Sequence, residues 1–320
     1  MRIIRTVAEM QSWADQERRS GKRIGFVPTM GCLHEGHLSL VRIARARSDS
    51  VVVSIFVNPI QFGPAEDLAR YPRDLDRDCA LLEKEHVDLI YHPDAQEMYA
   101  QDYSTYIDVE QLTEKLCGER RPGHFRGVAT VVAKLFNAVK PHLAVFGAKD
   151  AQQAYVIRRM TRDLDFGVEI IITPTVRASD GLALSSRNAY LSAEERAQAP
   201  VLHRSLQRAA QMIAQGERDP KTVIEAMREM IVAVPDSQFA IRLEPYPQIT
   251  QIPIRTSDSV SISVHQRASA VSASLPQIDY ISIVDTATLH EASEIRGEVL
   301  IAVAVFFGPT RLIDNIVVNG

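Results

Sequence analysis

The sequence predicts an α/β protein: a Rossmann-like, doubly wound parallel sheet followed by a smaller α+β domain. Apolar runs of strand length at Ile24–Pro28, Val51–Val57, Leu143–Phe146 and Val168–Thr173 alternate with amphipathic stretches through the first 175 residues. Those runs are apolar on both faces, the pattern of parallel strands covered on each side by helices. After Pro174 the order changes to helices followed by a strand-rich tail, so residues 1–176 are assigned to the first domain and 177–320 to the second.

Thr6-Val7-Ala8-Glu9 has the form of a capping box and opens a helix to about Arg19. Helices are expected at about Gly36–Ala46, Asp74–His86, Val128–Val139 and Asp150–Leu164, with a strand at Asp88–Tyr91. Ser192-Ala193-Glu194-Glu195 is a second capping-box pattern, starting a helix that ends near Gly216, and another runs from about Pro220 to Val232. The tail from Asp279 (YISIVD, VLIAVAVFF) reads as a small sheet of alternating strands. The proline- and serine-rich stretch at about 236–276 is expected to be a flexible surface insertion.

The 320 residues are 46% hydrophobic and 24% charged, an ordinary globular balance, and the net charge of −4 offers no broad basic surface to nucleic acid. Cys32, Cys79 and Cys117 form no C-x-x-C pair and suggest neither a disulfide framework nor a zinc knuckle. The charged N-terminus has no apolar signal core, and no run of 18 apolar residues occurs, so a soluble cytoplasmic protein is expected.

Five segments carry candidate chemistry. In Pro28-Thr29-Met30-Gly31-Cys32-Leu33-His34-Glu35-Gly36-His37 a strand meets a helix start bearing two histidines. Unpaired N–H groups and the dipole make such an end an anion site, although a pair of capping histidines would read the same. H-E-G-H is one residue short of H-E-x-x-H, which argues against zinc, and neither G-x-G-x-x-G nor a P-loop is present. Asn58 and Gln61, with Phe62, follow the second long strand, where neutral amides suit hydroxyl and carboxylate groups and a plain polar turn is the alternative. The loop Arg120-Arg121-Pro122-Gly123-His124-Phe125-Arg126 suits an anion or a solvated basic turn. Gly147-Ala148-Lys149-Asp150, with Gln153 a turn further on, again sits at a strand end; Lys149 suits phosphate, and Asp150 suits a ribose or an N-cap. Val176 and Leu184-Ser185-Ser186-Arg187 set hydroxyls beside an arginine fork.

PTMGCLHEGH, FVNPIQF, YPRDLDRD, RPGHFRGVATVVAKLFN, FGAKDAQQ, DGLALSSRNAYLS and TRLIDN stand in one order along the chain. Together they resemble the pantothenate synthetase (pantoate–β-alanine ligase) family over about residues 1–235 and 278–316, and the histidine element is similar to the HIGH signature of the wider nucleotidyltransferases. The resemblance implies an ATP-dependent ligase that makes a pantoyl adenylate and passes the acyl group to β-alanine. It implies ATP contacts from Met30, Gly31, Cys32, Leu33, His34, Glu35, Gly36 and His37, from Gly147, Ala148, Lys149 and Asp150, and from Val176, Leu184, Ser185, Ser186 and Arg187. His37 would be the proton-donating histidine, with His34 and Lys149 completing the catalytic set. Pantoate would lie on Gln61, Gln153 and Asn58, and β-alanine near Gln61; Mg²⁺ would come through the ATP phosphates, and a homodimer is implied. Ala148 stands where relatives often carry a charged residue, and the 236–276 stretch is longer than the family pattern. An adenylyltransferase that leaves AMP on its product is the alternative reading, and an RNA-binding or structural protein is disfavoured by the acidic charge.

Overall fold

The computed structural model describes residues 1–64, 66–233 and 275–320, so nearly all of the 236–276 stretch, expected to be a flexible insertion, lies outside the described residues. The first part of the chain forms β1 (Arg2–Ile4), α1 (Val7–Arg19), β2 (Ile24–Thr29), α2 (Glu35–Arg47), β3 (Ser50–Ile55), α3 (Leu75–Lys84), β4 (Leu89–Tyr91), the single turns α4 (Ala95–Met98) and α5 (Cys117–Arg120), α6 (His124–Val139), β5 (Leu143–Gly147), α7 (Ala151–Asp163) and β6 (Glu169–Thr173). The remainder forms α8 (Ala193–Gln198), α9 (Val201–Ala214), α10 (Pro220–Val232), β7 (Gln277–Asp285), β8 (Glu298–Phe307) and β9 (Thr310–Asn319).

All pairings in the larger sheet are parallel, in the order β1-β4-β3-β2-β5-β6. Alternate strand residues feed opposite layers, because successive Cβ atoms point to opposite faces. Phe26, Val52, Leu89 and Tyr91 pack with Met10 and Ala14 of α1 and Phe136 of α6, whereas Val27, Val51, Val53 and Ile90 pack with Val41 of α2 and Leu82 of α3. The chain leaves β2 toward β3 on one side, while β5 lies on the other. The carboxyl ends of β2 and β5 thus flank a topological switch point, where a crevice opens in doubly wound sheets. β1 is only three residues long, too short to be legible in the sequence.

The second sheet is antiparallel, β7-β8-β9. β8 does not alternate apolar with polar as expected. Val299, Ile301, Val303, Val305 and Phe307 meet α9 and α10, while Leu300 and Ala302 join the core of the first domain. It is buried on both faces because its sheet is sandwiched between those helices and the larger domain. The helix expected from Ser192 to near Gly216 is broken into α8 and α9 at Pro200, which has no N–H to continue the ladder. α6 begins at His124, a turn earlier than its apolar run, because Gly123 supplies a left-handed residue (φ 80°) before it. No described helix is long and apolar enough to cross a membrane.

Candidate active site

The loop after β2 is built by backbone strain and one buried carboxylate. Gly31 and Cys32 both have positive φ, at 82° and 51°, which turns successive N–H groups inward. Asp78, on the first turn of α3 and 1% exposed, accepts from Cys32 N at 2.8 Å and Leu33 N at 2.7 Å. Burial pushes the Asp78 carboxyl above its usual range, while those two donors pull it back. Asp78 lies in the YPRDLDRD segment, whose helical spacing was legible but whose role in clamping this loop was not.

The loop delivers the chain into α2 through a reciprocal cap made by two histidines. His34 is the N-cap, and its Nδ1 accepts from Gly36 N at 3.1 Å; His37 Nδ1 accepts from His34 N at 3.3 Å. Their rings stack, with centroids 4.1 Å apart. Both Nδ1 atoms are acceptors, so each neutral ring carries its proton on Nε2. Burial, with Lys149 nearby, lowers the His34 pKa to about 4; burial, then His34 and Lys149, lowers that of His37 to about 3. Both rings are therefore neutral donors near pH 7. Gly36 is required by this packing, since a Cβ there would lie 2.8 Å from His34 Cε1.

After β3 the chain makes a 3₁₀ turn, Pro59–Gln61. Asn58 Nδ2 donates to Gln61 Oε1 at 2.9 Å and to Gly127 O at 3.1 Å, and its Oδ1 accepts from Tyr99 Oη at 2.7 Å. Both amide hydrogens of Asn58 are thus taken, and the residue holds Gln61 from behind. Gln61 Nε2 lies 3.1 Å from Met30 Sδ. Gly127 lets α6 approach this turn, for a Cβ would meet Ile60 O at 2.5 Å.

The arginines of the RRPGHFR loop are each paired. Arg121 forms a two-bond pair with Glu66 at 2.6 and 2.7 Å, Arg120 meets Asp279 at 3.5 Å, and Arg126 meets Asp108 at 3.3 Å. His124 bonds Gln61 O at 2.9 Å and Arg121 Nη1 at 2.9 Å; burial, then Arg121, lowers its pKa to about 4. Lys149 Nζ is 3.8 Å from Asp150 Oδ2. Asp150 stands at the N-cap of α7 but makes no side-chain capping bond, because a 3₁₀ turn over Ala148–Asp150 precedes the helix. The Ala148 and Lys149 carbonyls accept from Asn315 Nδ2 of β9 at 3.0 and 2.8 Å, fastening this loop to the second sheet.

In the 184–187 segment Ser185 Oγ caps Arg187 N, Ser186 Oγ donates to the Cys32 carbonyl at 3.2 Å, and Arg187 pairs with Asp67 at 2.9 and 3.1 Å. Upstream, Arg177 forms a two-bond pair with Asp314 of β9, at 2.6 and 3.0 Å.

A cavity of about 240 Å³ collects residues from all five segments: Met30, His34, Gly36 and His37; Asn58 and Gln61; Arg121 and His124; Gly147, Lys149, Asp150 and Gln153; Val176, Leu184, Ser185, Ser186 and Arg187. Phe56, Val131, Val132 and Leu135 give it an apolar end. An adjoining cavity of about 570 Å³ between the two sheets shares Arg121, His124, Lys149, Asp150, Gln153, Ser185 and Arg187 with it. Five of the residues expected to contact a nucleotide do not line the first cavity. Gly31 shapes the turn, Cys32 and Leu33 give their N–H groups to Asp78, Glu35 pairs outward with Arg42, and Ala148 turns its carbonyl to Asn315.

The family model described as pantoate-beta-alanine ligase matches residues 2–317. The chain belongs to that family. A pantothenate synthetase of Thermotoga neapolitana is 51% identical over 319 residues, covering 100% of both chains, and one of Heliobacterium modesticaldum is 50% identical with the same coverage. Among solved structures, pantothenate synthetase from Thermus thermophilus superposes with a TM-score of 0.82 at 44% identity, covering 99% of each chain. Pantoate-beta-alanine ligase from Francisella tularensis, complexed with beta-gamma ATP and beta-alanine, superposes at 0.72 with 27% identity, over 99% of this chain and 97% of that one. The expected fold, a parallel sheet flanked by helices with a small antiparallel domain, is the fold of this ligase family.

Proposed function

We propose that this enzyme condenses pantoate with β-alanine to pantothenate, using ATP and passing through a pantoyl adenylate, and that it releases AMP and pyrophosphate. The observation that carries the reading is the convergence of five distant segments on one cavity at the switch point, in a chain of the pantoate–beta-alanine ligase family.

A carboxylate is a poor electrophile, and bringing it to a triphosphate sets like charges together at a cost of about 4 kcal/mol for about 4 Å at an effective dielectric near 20. In the proposed arrangement the Nε2–H groups of His34 and His37, Lys149 and Arg187 receive the phosphates. Gly147, Asp150, Val176 and Leu184 border the nucleoside. The apolar end receives the branched carbon skeleton of pantoate, with the Gln61 and Gln153 amides on its oxygens. A pantoate carboxylate oxygen attacks the α-phosphorus, the α–β bridging bond breaks, and pyrophosphate departs with its charge met by those donors. The amine of β-alanine, held near Gln61, then attacks the acyl carbon; the C–O bond to AMP breaks and the nitrogen loses a proton. A neutral His37 serves the first step as a hydrogen-bond donor to the departing oxygens, which is the form its proton-donating role takes here.

Asn58 supports Gln61 in this scheme, and its direct contact with pantoate is not needed. The division near residue 176 separates the substrate-binding layer from a second domain whose sheet closes over the cleft and keeps water from the adenylate. Mg²⁺, which the family resemblance and the triphosphate imply, would enter with the ATP phosphates and offset charge on the departing pyrophosphate. A cytoplasmic homodimer completes the proposal, resting on the family alone.

The test incubates protein with ATP, Mg²⁺ and pantoate, with and without β-alanine, and follows pyrophosphate and AMP separately. Free AMP that appears only with β-alanine is expected. A stable product retaining AMP would instead identify an adenylyltransferase.

A further inference from the structure

Tyr99 caps the end of α4 and does not line the substrate cavity. Its ring packs against Phe56 at 6.3 Å and Tyr103 at 5.0 Å, and Lys134 Nζ stands 5.8 Å from its centroid. Its hydroxyl nevertheless reaches inward to Asn58 Oδ1 at 2.7 Å. Asn58 is 1% exposed, and every polar atom of its side chain is engaged. A primary amide fits its space in either of two flips, so its partners decide its orientation. The Gly127 carbonyl can only accept, so it fixes Nδ2 on the side that faces Gly127 and Gln61, and the Tyr99 hydroxyl then donates to Oδ1 and holds the amide in that place. Gln61 Oε1 is then committed as an acceptor, leaving Gln61 Nε2 to face Met30 Sδ and the cavity.

We infer that Tyr99 is a positioning residue for the acid substrate: it holds the Asn58 amide, whose orientation Gly127 fixes, so that Gln61 Oε1 stays engaged and a donor, not an acceptor, meets the hydroxyl and carboxylate oxygens of the acid. Burial raises the Tyr99 phenol, so the hydroxyl stays protonated and able to donate across the working pH range. This rests on the reading of Gln61 as a pantoate ligand.

The test is Tyr99→Phe, which keeps the ring and removes only the hydroxyl. In pyrophosphate release the KM for pantoate should rise about five- to tenfold, the loss of one hydrogen bond's discrimination, while the KM for ATP stays within about twofold. In an Asn58→Ala background the same substitution should add nothing further, because the relay is already cut. An unchanged pantoate KM, or effects that simply add, overturns the inference. Asn58→Asp, which keeps an acceptor for Tyr99 but removes the donor toward Gln61, tests the other half of the relay, and an unchanged pantoate KM there also overturns the inference. Wild-type protein that releases no pyrophosphate with pantoate would instead overturn the ligase reading itself.

Discussion

Gly36→Ala should separate the stability of α2 from catalysis. The added Cβ would lie 2.8 Å from His34 Cε1 and 2.9 Å from Nδ1, where ordinary contact begins near 3.4 Å, so the ring must withdraw by about half an ångström. That lengthens the cap to Gly36 N, now 3.1 Å, and shifts the ring that stacks 4.1 Å from His37. The lost cap costs about 1 kcal/mol. Alanine returns up to about 1 kcal/mol relative to glycine in a helix, less in its first turn. Net stability should therefore stay within about 1 kcal/mol of wild type. Activity has no such compensation if, as proposed, the two Nε2–H donors serve the phosphates: a displacement of this size should slow pyrophosphate release about 10- to 100-fold. Denaturant unfolding and single-turnover pyrophosphate release on the same preparation read the two quantities. Wild-type release by a stably folded Gly36→Ala protein would show that the histidine rings need not sit where the cap puts them.

Acid should destabilise the protein well above the carboxylate range. His34, His37 and His124 have folded pKa values lowered to about 4, 3 and 4, so their contribution is present above the unfolded value of about 6.5 and is lost progressively as pH falls from there to the folded values. At pH 5.5 each costs about 1.4 kcal/mol, on the order of 4 kcal/mol together; imidazole nitrogen shifts from His34 and His37 that titrate near 6.5 would refute the neutral pair. Arg177→Met should cost about 3–5 kcal/mol, because it strands Asp314, which is 3% exposed, whereas Arg177→Met with Asp314→Leu should recover most of that. Equal denaturation midpoints for the single and double variants would contradict a buried charge pair.

The parallel sheet was legible because both faces of β2, β3 and β5 are buried, which leaves an unbroken apolar run with no competing period. β8 is buried on both faces too, but its covering layers come from two different domains, and neither could be read from the strand itself. The helix starts at Thr6 and Ser192 were legible because capping is a local hydrogen bond within a few residues. The cavity residues were found where chemistry and a strand end coincide, as at His37, Gln61 and Lys149. Asp78, Asn315 and Tyr99 were not found, because each acts on a segment at least 41 residues away in sequence, and a lone Asp, Asn or Tyr carries no signature of such a partner. The same distance explains why the RRPGHFR arginines could not be decided between an anion site and a solvated basic turn: Glu66, Asp108 and Asp279, which neutralise them, lie in other segments.

Those pairings bear on how an acidic chain can hold a triphosphate beside a second anion. The cavity's guanidinium groups are compensated by carboxylates, Arg187 by Asp67 and Arg121 by Glu66, and Lys149 has Asp150 nearby. The cleft therefore carries no large uncompensated field in the absence of substrate, which would cost stability through self-repulsion. In the proposed arrangement an arriving phosphate need not find a free cation; it would exchange with a carboxylate, Asp67 releasing Arg187 to a ligand of higher charge and fixed geometry. The neutral histidines would complement this, since N–H groups that met phosphate oxygens as proposed would do so without first adding positive charge to a buried site. Affinity is then set by the difference between phosphate and carboxylate as partners rather than by the full attraction of each cation. That difference is large for a triphosphate and small for AMP, a bias that favours release of the final nucleotide over retention.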